Sequence, residues 1–188
     1  FSAQQIADNP RINEIFSKLT EAEKSDARKI KVFYELAKPF DASKPSVFIS
    51  GGFYPWLNLA LTKYYPALQN YNLFEMHFRG SGCSQVQPLG SPLLYVHEFL
   101  AADLEALRLK LGAGKLNTWS SSNGSWVRLM YAVLYPQSVN NLLVRDTSIY
   151  RPSVQESSDN FSQVLLPKIL GSIYMNKLSQ IKSLDEVT

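Results

Sequence analysis

The residues best suited to chemistry lie together in residues 119–126, which have the sequence WSSSNGSW. An apolar run over residues 116–119 enters this segment and predicts a short buried strand. A run with helical period leaves it and continues to Tyr135-Pro136. Strand, tight turn and helix form the setting of a nucleophile elbow, in which a serine hydroxyl projects above a sheet and the next backbone N–H faces a developing oxyanion. Ser122 is the predicted nucleophile.

The segment departs from the G-x-S-x-G pattern at one glycine. Ser120 occupies the first glycine position, whereas Gly124 keeps the second. A serine side chain is small, so it weakens the match without excluding it. The alternative is a serine-rich loop that only caps a helix, because Ser, Asn and Gly are common in both settings. The segment by itself leaves both interpretations open.

Two upstream segments carry a second signal. Residues 46–50 (SVFIS) predict a buried strand that ends in Gly51-Gly52, and such a pair lets backbone N–H groups approach a ligand closely. This is the predicted position of an oxyanion loop. Residues 71–76 (YNLFEM) predict another strand, and the turn after it carries one arginine and two glycines, namely Arg79, Gly80 and Gly82.

Together these segments resemble the α/β-hydrolases of the proline iminopeptidase and tripeptidyl aminopeptidase type. In that family a His-Gly-Gly-Pro-Gly loop follows one strand, Asp-Gln-Arg-Gly-Ser-Gly-x-Ser follows the next, and Trp-Gly-Gly-Ser-Trp-Gly-Ser forms the elbow. The corresponding stretches here are residues 50–54 (SGGFY), 77–84 (HFRGSGCS) and 119–125 (WSSSNGS). The resemblance extends from about residue 46 to about residue 146.

The resemblance implies an α/β-hydrolase fold, with a mostly parallel sheet, crossover helices and a chain that is truncated within a helical cap. It also implies a serine hydrolase, most simply an aminopeptidase that releases an N-terminal, proline-type residue through an acyl-enzyme on Ser122. Ser120 and Gly124 would support the elbow, and no cofactor is implied. The oxyanion hole would use backbone N–H groups from the loop and from the residue after the nucleophile, which are those of Gly51, Gly52, Phe53 and Asn123.

The departures from the family pattern keep other functions open. Ser50 stands where the family has the loop histidine, His77 where it has the aspartate of the arginine turn, and Asn123 where it has the elbow tryptophan. The alternatives are an esterase or lipase of the same fold, or a non-catalytic hydrolase-fold protein that binds a peptide or a partner. In this fold the acid and the histidine follow the nucleophile, yet no histidine follows His97.

Three residues are weaker candidates for the rest of a triad. His77 follows a strand end near the presumed site, but a structural role in the arginine turn is favoured. His97 fits a surface or half-buried position on a helix. Asp146 follows the strand after the elbow helix, where it could serve as the acid or simply cap a turn. The sequence therefore predicts an incomplete triad in this chain.

Composition favours a packed soluble domain. The chain has 188 residues, of which 45% are hydrophobic and 12% aromatic, and its net charge is only +3. The basic residues are scattered, which argues against nucleic-acid binding, and no apolar run is long enough to span a membrane. One cysteine and two distant histidines predict neither a disulfide nor a metal site. We expect a small peptide or ester substrate and a location in the cytoplasm rather than outside the cell.

The pattern along the chain predicts three parts that position these residues. They are an N-terminal helical segment over residues 1–30, the α/β-hydrolase core over residues 31–149 and the start of a helical cap over residues 150–188. The alternative to a cap is a helical tail that covers a face of the sheet. Residues 183–186 (SLDE) form a capping box for a helix that then has only two further residues. The sequence thus predicts a cut inside the cap. The rest of the protein would be a second segment of a clipped chain, a disordered part, or a piece that this sequence leaves out.

Local signals give the predicted elements. Asn9-Pro10 begins the first helix, residues 21–31 predict a solvated face or linker, and residues 31–36 predict an early edge strand. Ser91-Pro92 begins a long helix that ends at Gly112. Strands that alternate with helices favour a parallel sheet with crossover connections.

Overall fold

The computed structural model describes residues 2–50, 66–85 and 92–145. The chain divides into two compact units, Phe1–Thr147 and Ser148–Thr188, and every element named below belongs to the first. The predicted cap over residues 150–188, Asp146 and the loop Gly51-Gly52-Phe53 all lie outside the described residues.

The described residues form a sheet, with three α-helices before its first strand and two between its later strands. The strands are β1 (Tyr34–Leu36), β2 (Ser46–Ser50), β3 (Asn72–Met76), β4 (Leu116–Ser121) and β5 (Val139–Arg145). The α-helices are α1 (Ala3–Ala7), α2 (Pro10–Ser17), α3 (Glu21–Lys29), α4 (His97–Leu111) and α5 (Asn123–Leu134). Short 3₁₀ helices occur at Pro66–Asn70, Pro92–Tyr95 and Pro136–Ser138.

The strand order is β1-β3-β2-β4-β5. β1 is antiparallel to β3, and every other neighbouring pair is parallel. In this register Ser50 at the end of β2 lies opposite Ser120. Ser121 at the end of β4 lies opposite Arg145. The carboxyl ends of β2, β4 and β5 therefore meet at one edge of the sheet, which is where ligands bind in open α/β sheets.

Strands β2 and β3 are buried along their whole length, because apolar side chains pack on both of their faces. One face of the sheet carries the large apolar cluster, which includes Phe48 of β2 and Phe74 of β3. The other face carries the smaller cluster of Val47, Ile49 and Leu73. The sequence-predicted strands are confirmed, and β4 runs two residues further than expected, to Ser121.

The predicted start of the long helix is wrong. A 3₁₀ turn occupies Pro92–Tyr95, and α4 begins only at His97, after the cap residue Val96. The cause is a tertiary contact, in which the Leu94 carbonyl accepts a hydrogen bond of 3.0 Å from Arg79 Nη1. The predicted end is confirmed, since Gly112 adopts a left-handed conformation with φ of 66°.

Of the two interpretations of residues 21–31, the linker is wrong and the solvated face fits, because an α-helix with one buried residue occupies the segment. α3 spans Glu21–Lys29 and begins with a capping box, in which Thr20 and Glu23 bond reciprocally to each other's backbone N–H. Ala27 packs into the core at 1% exposure, so this charged helix is anchored by one small apolar residue. The edge strand is shorter than predicted and covers only Tyr34–Leu36. In the described part of the chain, every helix is too short or too polar to cross a lipid bilayer.

Candidate active site

The turn between β4 and α5 has the geometry of a nucleophile elbow. Ser122 connects the two elements with φ of 52° and ψ of −132°. Within the described ranges it is the only non-glycine residue with positive φ. Such a conformation stores on the order of 1–3 kcal/mol of strain and persists only where the surroundings impose it. Two hydrogen bonds do so here: the Ser122 N–H donates to the Arg145 carbonyl, and the Ser122 carbonyl accepts from the Ser125 N–H, both at 3.0 Å.

The Ser122 side chain points outward and does not cap the helix. The residue is exposed, and its hydroxyl makes no capping hydrogen bond to the first turn of α5. A serine that merely capped this helix would accept a backbone N–H from the second or third helical residue. The geometry therefore differs from the serine-rich capping loop that the sequence left open.

Ser120 and Gly124 lie inside the elbow. Ser120 is 1% exposed, and its Oγ donates to Ser125 Oγ at 3.4 Å. Ser125 Oγ donates in turn to the Arg145 carbonyl at 3.3 Å. The hydroxyl that replaces the first glycine of the motif thus finds a polar partner, so this substitution leaves no buried group unsatisfied. Sequence reasoning did not identify Ser125, although it belongs to the same octapeptide.

The backbone N–H of Asn123 has the position expected of an oxyanion donor. Asn123 is the first residue of α5, and the first N–H groups of a helix have no partner within the helix. The helix dipole adds a partial positive charge at the same place. The loop Gly51-Gly52-Phe53 begins directly after Ser50, the last residue of the strand next to β4. The expected donors on that loop lie outside the described residues.

All three guanidinium nitrogens of Arg79 donate hydrogen bonds within the protein. Its Nε and Nη2 donate to the two carboxylate oxygens of Asp103 at 2.8 and 2.7 Å. Nη1 donates to the Leu94 carbonyl at 3.0 Å and Nη2 to the Ala27 carbonyl at 3.3 Å. The side chain is 1% exposed. Arg79 therefore ties the turn after β3 to α4 and α3, and its donors face the protein interior.

The glycines of this turn are required by conformation and by space. Gly80 and Gly82 have φ of 75° and 54°. A Cβ at Gly80 would lie 2.6 Å from the Tyr95 ring, and a Cβ at Gly82 would clash with the His77 ring. The predicted glycine-punctuated turn is confirmed.

His77 organises the same turn. The residue is buried, its Nδ1 accepts the Cys83 N–H at 3.0 Å, and its carbonyl accepts the Ser84 hydroxyl at 2.6 Å. Burial lowers the pKa of His77, against the opposing charge of Glu35. The ring is therefore neutral at pH 7, and the bond at Nδ1 assigns its proton to Nε2. In a catalytic triad, the histidine Nδ1 bonds the carboxylate that orients the ring. In His77 the Cys83 N–H already occupies Nδ1.

Of the two other weak candidates for the triad, His97 and Asp146, only His97 lies within the described residues. His97 is exposed and is the first residue of α4, where its ring centroid lies 6.3 Å from that of Trp126. Asp146 lies outside the described residues, and β5, which precedes it, ends at Arg145. Among the described residues, no group of three His, Cys, Asp or Glu side chains could hold a metal ion.

Comparison with known proteins gives similarity at the level of the fold. No family model and no curated protein sequence matches the chain. Its structure is similar to that of an α/β-hydrolase enzyme from a Medee basin deep-sea metagenome library, with TM-score 0.58 and 18% identity over 78% of this chain and 52% of that one. An esterase from a marine microorganism has TM-score 0.54 and 17% identity over 74% and 51%.

A third similar structure is a proline iminopeptidase-related protein from Thermus thermophilus, with TM-score 0.50 and 24% identity over 58% of this chain and 39% of that one. The chain spans about half the length of the first two proteins and less of the third. Together with the parallel sheet and the elbow, these similarities show that the chain has an α/β-hydrolase fold. The fold implied by the resemblance is confirmed.

Proposed function

We propose that the protein is a serine hydrolase whose nucleophile is Ser122. The observation that carries this proposal is the conformation of Ser122, an exposed residue with φ of 52°, ψ of −132° and no capping hydrogen bond from its side chain. A serine used only for packing or capping has no reason to keep this strain, whereas a nucleophile elbow requires it.

The proposed chemistry is acyl transfer. Ser122 Oγ attacks the substrate carbonyl carbon as a base removes its proton, and the carbonyl oxygen becomes an oxyanion held by backbone N–H groups. The Asn123 N–H provides one donor, and Gly51, Gly52 and Phe53 are the proposed source of the others. Collapse of this intermediate expels the leaving group with the returned proton, and water then releases the acyl group from Ser122.

The base in this proposal is a histidine outside the present sequence. The sequence has two histidines, and the Nδ1 of His77 is already bound to the Cys83 backbone. His97 packs beside Trp126 at the start of α4, before the nucleophile in chain order. Asp146 remains a candidate for the acid, because it follows a strand that neighbours the elbow.

The preferred substrate is a peptide with a free N-terminal, proline-type residue. The motifs of residues 50–84 and 119–125 support this preference, as does the fold shared with the proline iminopeptidase-related protein. The alternative is ester hydrolysis, which the similarity to an esterase supports. The elbow does not distinguish them, because it serves acyl transfer to either leaving group.

Covalent labelling tests the nucleophile. A fluorophosphonate probe should label the intact natural protein but not its Ser122→Ala variant. Ser121→Ala is the matched control, since Ser121 is the neighbouring serine at the end of β4, and this variant should still be labelled. Folded wild-type protein that takes no label would refute the proposal and favour the non-catalytic binding protein.

Hydrolysis assays then separate the substrates and test the oxyanion loop. A proline reporter with a free amino group should be cleaved faster than its N-blocked form, whereas an esterase would prefer a short acyl ester over both. Gly52→Val should lower kcat by on the order of a hundredfold, the scale of losing one oxyanion donor. Near-normal kcat in that variant would argue against the loop assignment.

A further inference from the structure

A buried arginine on the elbow helix has no role in the chemistry described so far. Arg128 lies on α5, six positions after Ser122, and is 0% exposed. Six residues correspond to a rise of about 9 Å along a helix, so Arg128 lies less than two turns below the elbow. A buried charge is unfavourable unless partners compensate for its lost hydration.

The contacts of Arg128 compensate only part of that loss. Its Nη2 donates to Ser50 Oγ at 2.6 Å, and its guanidinium carbon lies 3.7 Å from the centroid of the Phe48 ring. Nε and Nη1 have no hydrogen-bond partner within the described part of the chain. Burial lowers the pKa of Arg128, opposed by Tyr131 and Glu75, but an arginine starts high enough to stay charged at neutral pH.

Ser50, which accepts the hydrogen bond from Arg128, lies beside the nucleophile elbow. Ser50 is 4% exposed, ends β2 and lies opposite Ser120 in the register of the sheet. The next residues in the chain are Gly51-Gly52, the proposed oxyanion loop. The bond from Arg128 therefore links the elbow helix α5 to the end of the strand next to β4. A hydrogen bond from a charged donor is among the stronger ways to hold a hydroxyl.

We propose that Arg128 is a positioning residue for the candidate active site. By fixing Ser50, it holds α5, which begins at Asn123, against the end of β2 beside Ser120 of the elbow. The inference rests on the proposed function. Stability gives little reason for the arginine, because replacing a buried charge by an apolar side chain of similar volume is often neutral or stabilising.

The test uses Arg128→Met, Arg128→Lys, Ser50→Ala and the Arg128→Met/Ser50→Ala double variant in the intact natural protein. Arg128→Met should lower kcat by about tenfold to a hundredfold, somewhat less than the loss of a direct oxyanion donor, with KM within about twofold. Its urea midpoint should be unchanged or higher. Arg128→Lys keeps the charge and one donor, so it should recover part of the lost kcat.

Coupling between the two residues distinguishes positioning from packing. Ser50→Ala should lower kcat by about tenfold, and the double variant should be no slower than Arg128→Met, because both substitutions remove the same contact. Multiplicative losses, or normal kcat in Ser50→Ala, would overturn the inference. So would a lower urea midpoint with normal kcat in Arg128→Met.

Labelling separates this inference from the proposed function. Wild-type protein in which the probe labels Ser122, combined with normal kcat in both single variants, would refute only the role of Arg128. Folded wild-type protein that takes no label would refute the proposed function and this inference with it. If Arg128→Met fails to fold, Ser50→Ala decides the question, because it removes only a hydroxyl.

Discussion

Substituting glycine for Ser122 should stabilise the protein while it abolishes activity. The Ser122 backbone, with φ of 52° and ψ of −132°, is unfavourable for any residue with a Cβ atom but accessible to glycine. The side chain is exposed and makes no capping hydrogen bond, so its removal sacrifices neither packing nor a cap.

The expected magnitude follows from two opposing terms. Relief of backbone strain contributes about 1–3 kcal/mol to the free energy of unfolding. The greater freedom of glycine in the unfolded chain removes about 0.4–1 kcal/mol. Ser122→Gly should therefore raise the free energy of unfolding by on the order of 1 kcal/mol. Ser122→Ala keeps the Cβ atom and the strain, so its stability should stay within about 0.5 kcal/mol of wild type.

Urea unfolding of the intact natural protein measures these differences, with the slope of the transition checked for constancy. Ser121→Gly is the matched control, because Ser121 has the ordinary extended backbone of β4. Glycine there should lower stability by about 0.5–1 kcal/mol. If Ser122→Gly is as destabilising as Ser121→Gly, Ser122 is not strained and the structural argument for the elbow fails.

Two further predictions concern the buried ion pairs. Asp103→Asn should destabilise the protein by about 3 kcal/mol in urea, because it leaves the buried charge of Arg79 without its carboxylate, whereas Glu14→Gln in an exposed pair should leave the urea midpoint unchanged. A small effect of Asp103→Asn would show that the pair does not hold the arginine turn. Burial alone would raise the pKa of Glu105, but hydrogen bonds led by Arg108 outweigh it and lower that pKa below its usual 4.5. Glu105 then adds stability above about pH 4.5 that is lost as the pH falls through its folded-state pKa. Glu105→Gln should therefore be about 1–2 kcal/mol less stable than wild type at pH 7, and this difference should shrink as the pH falls below 4.5; a pH-independent difference would contradict this.

Local sequence signals were sufficient for the elements around the candidate site. Apolar runs placed β2, β3 and β4 to within two residues, because a buried strand needs only a short continuous apolar stretch. The turn glycines Gly80 and Gly82 and the helix end at Gly112 were equally predictable, since positive φ is a local property that favours glycine. The resemblance of three ordered motifs added the fold.

Some local signals were present but outweighed. The capping pair Thr20 and Glu23 indicates the start of α3, yet the high charge of the segment favoured a solvated face or linker. A similar box, formed by Ser2 and Gln5, begins the short helix α1, which the sequence analysis also missed. Each of these helices has one buried residue, Ile6 in α1 and Ala27 in α3, so the hydrophobic period that identifies helices is weak in them.

The sequence by itself determined where the chain alternates between strand, turn and helix, because periodicity and turn chemistry act over a few residues. Only the tertiary structure decided which charges are buried. Asp103 meets Arg79 across 24 positions, Glu98 meets Arg11 across 87, and Arg128 meets Ser50 across 78. A charged side chain is stable in the interior where partners offset its lost hydration, and no local pattern encodes the contact when those partners are distant in the sequence.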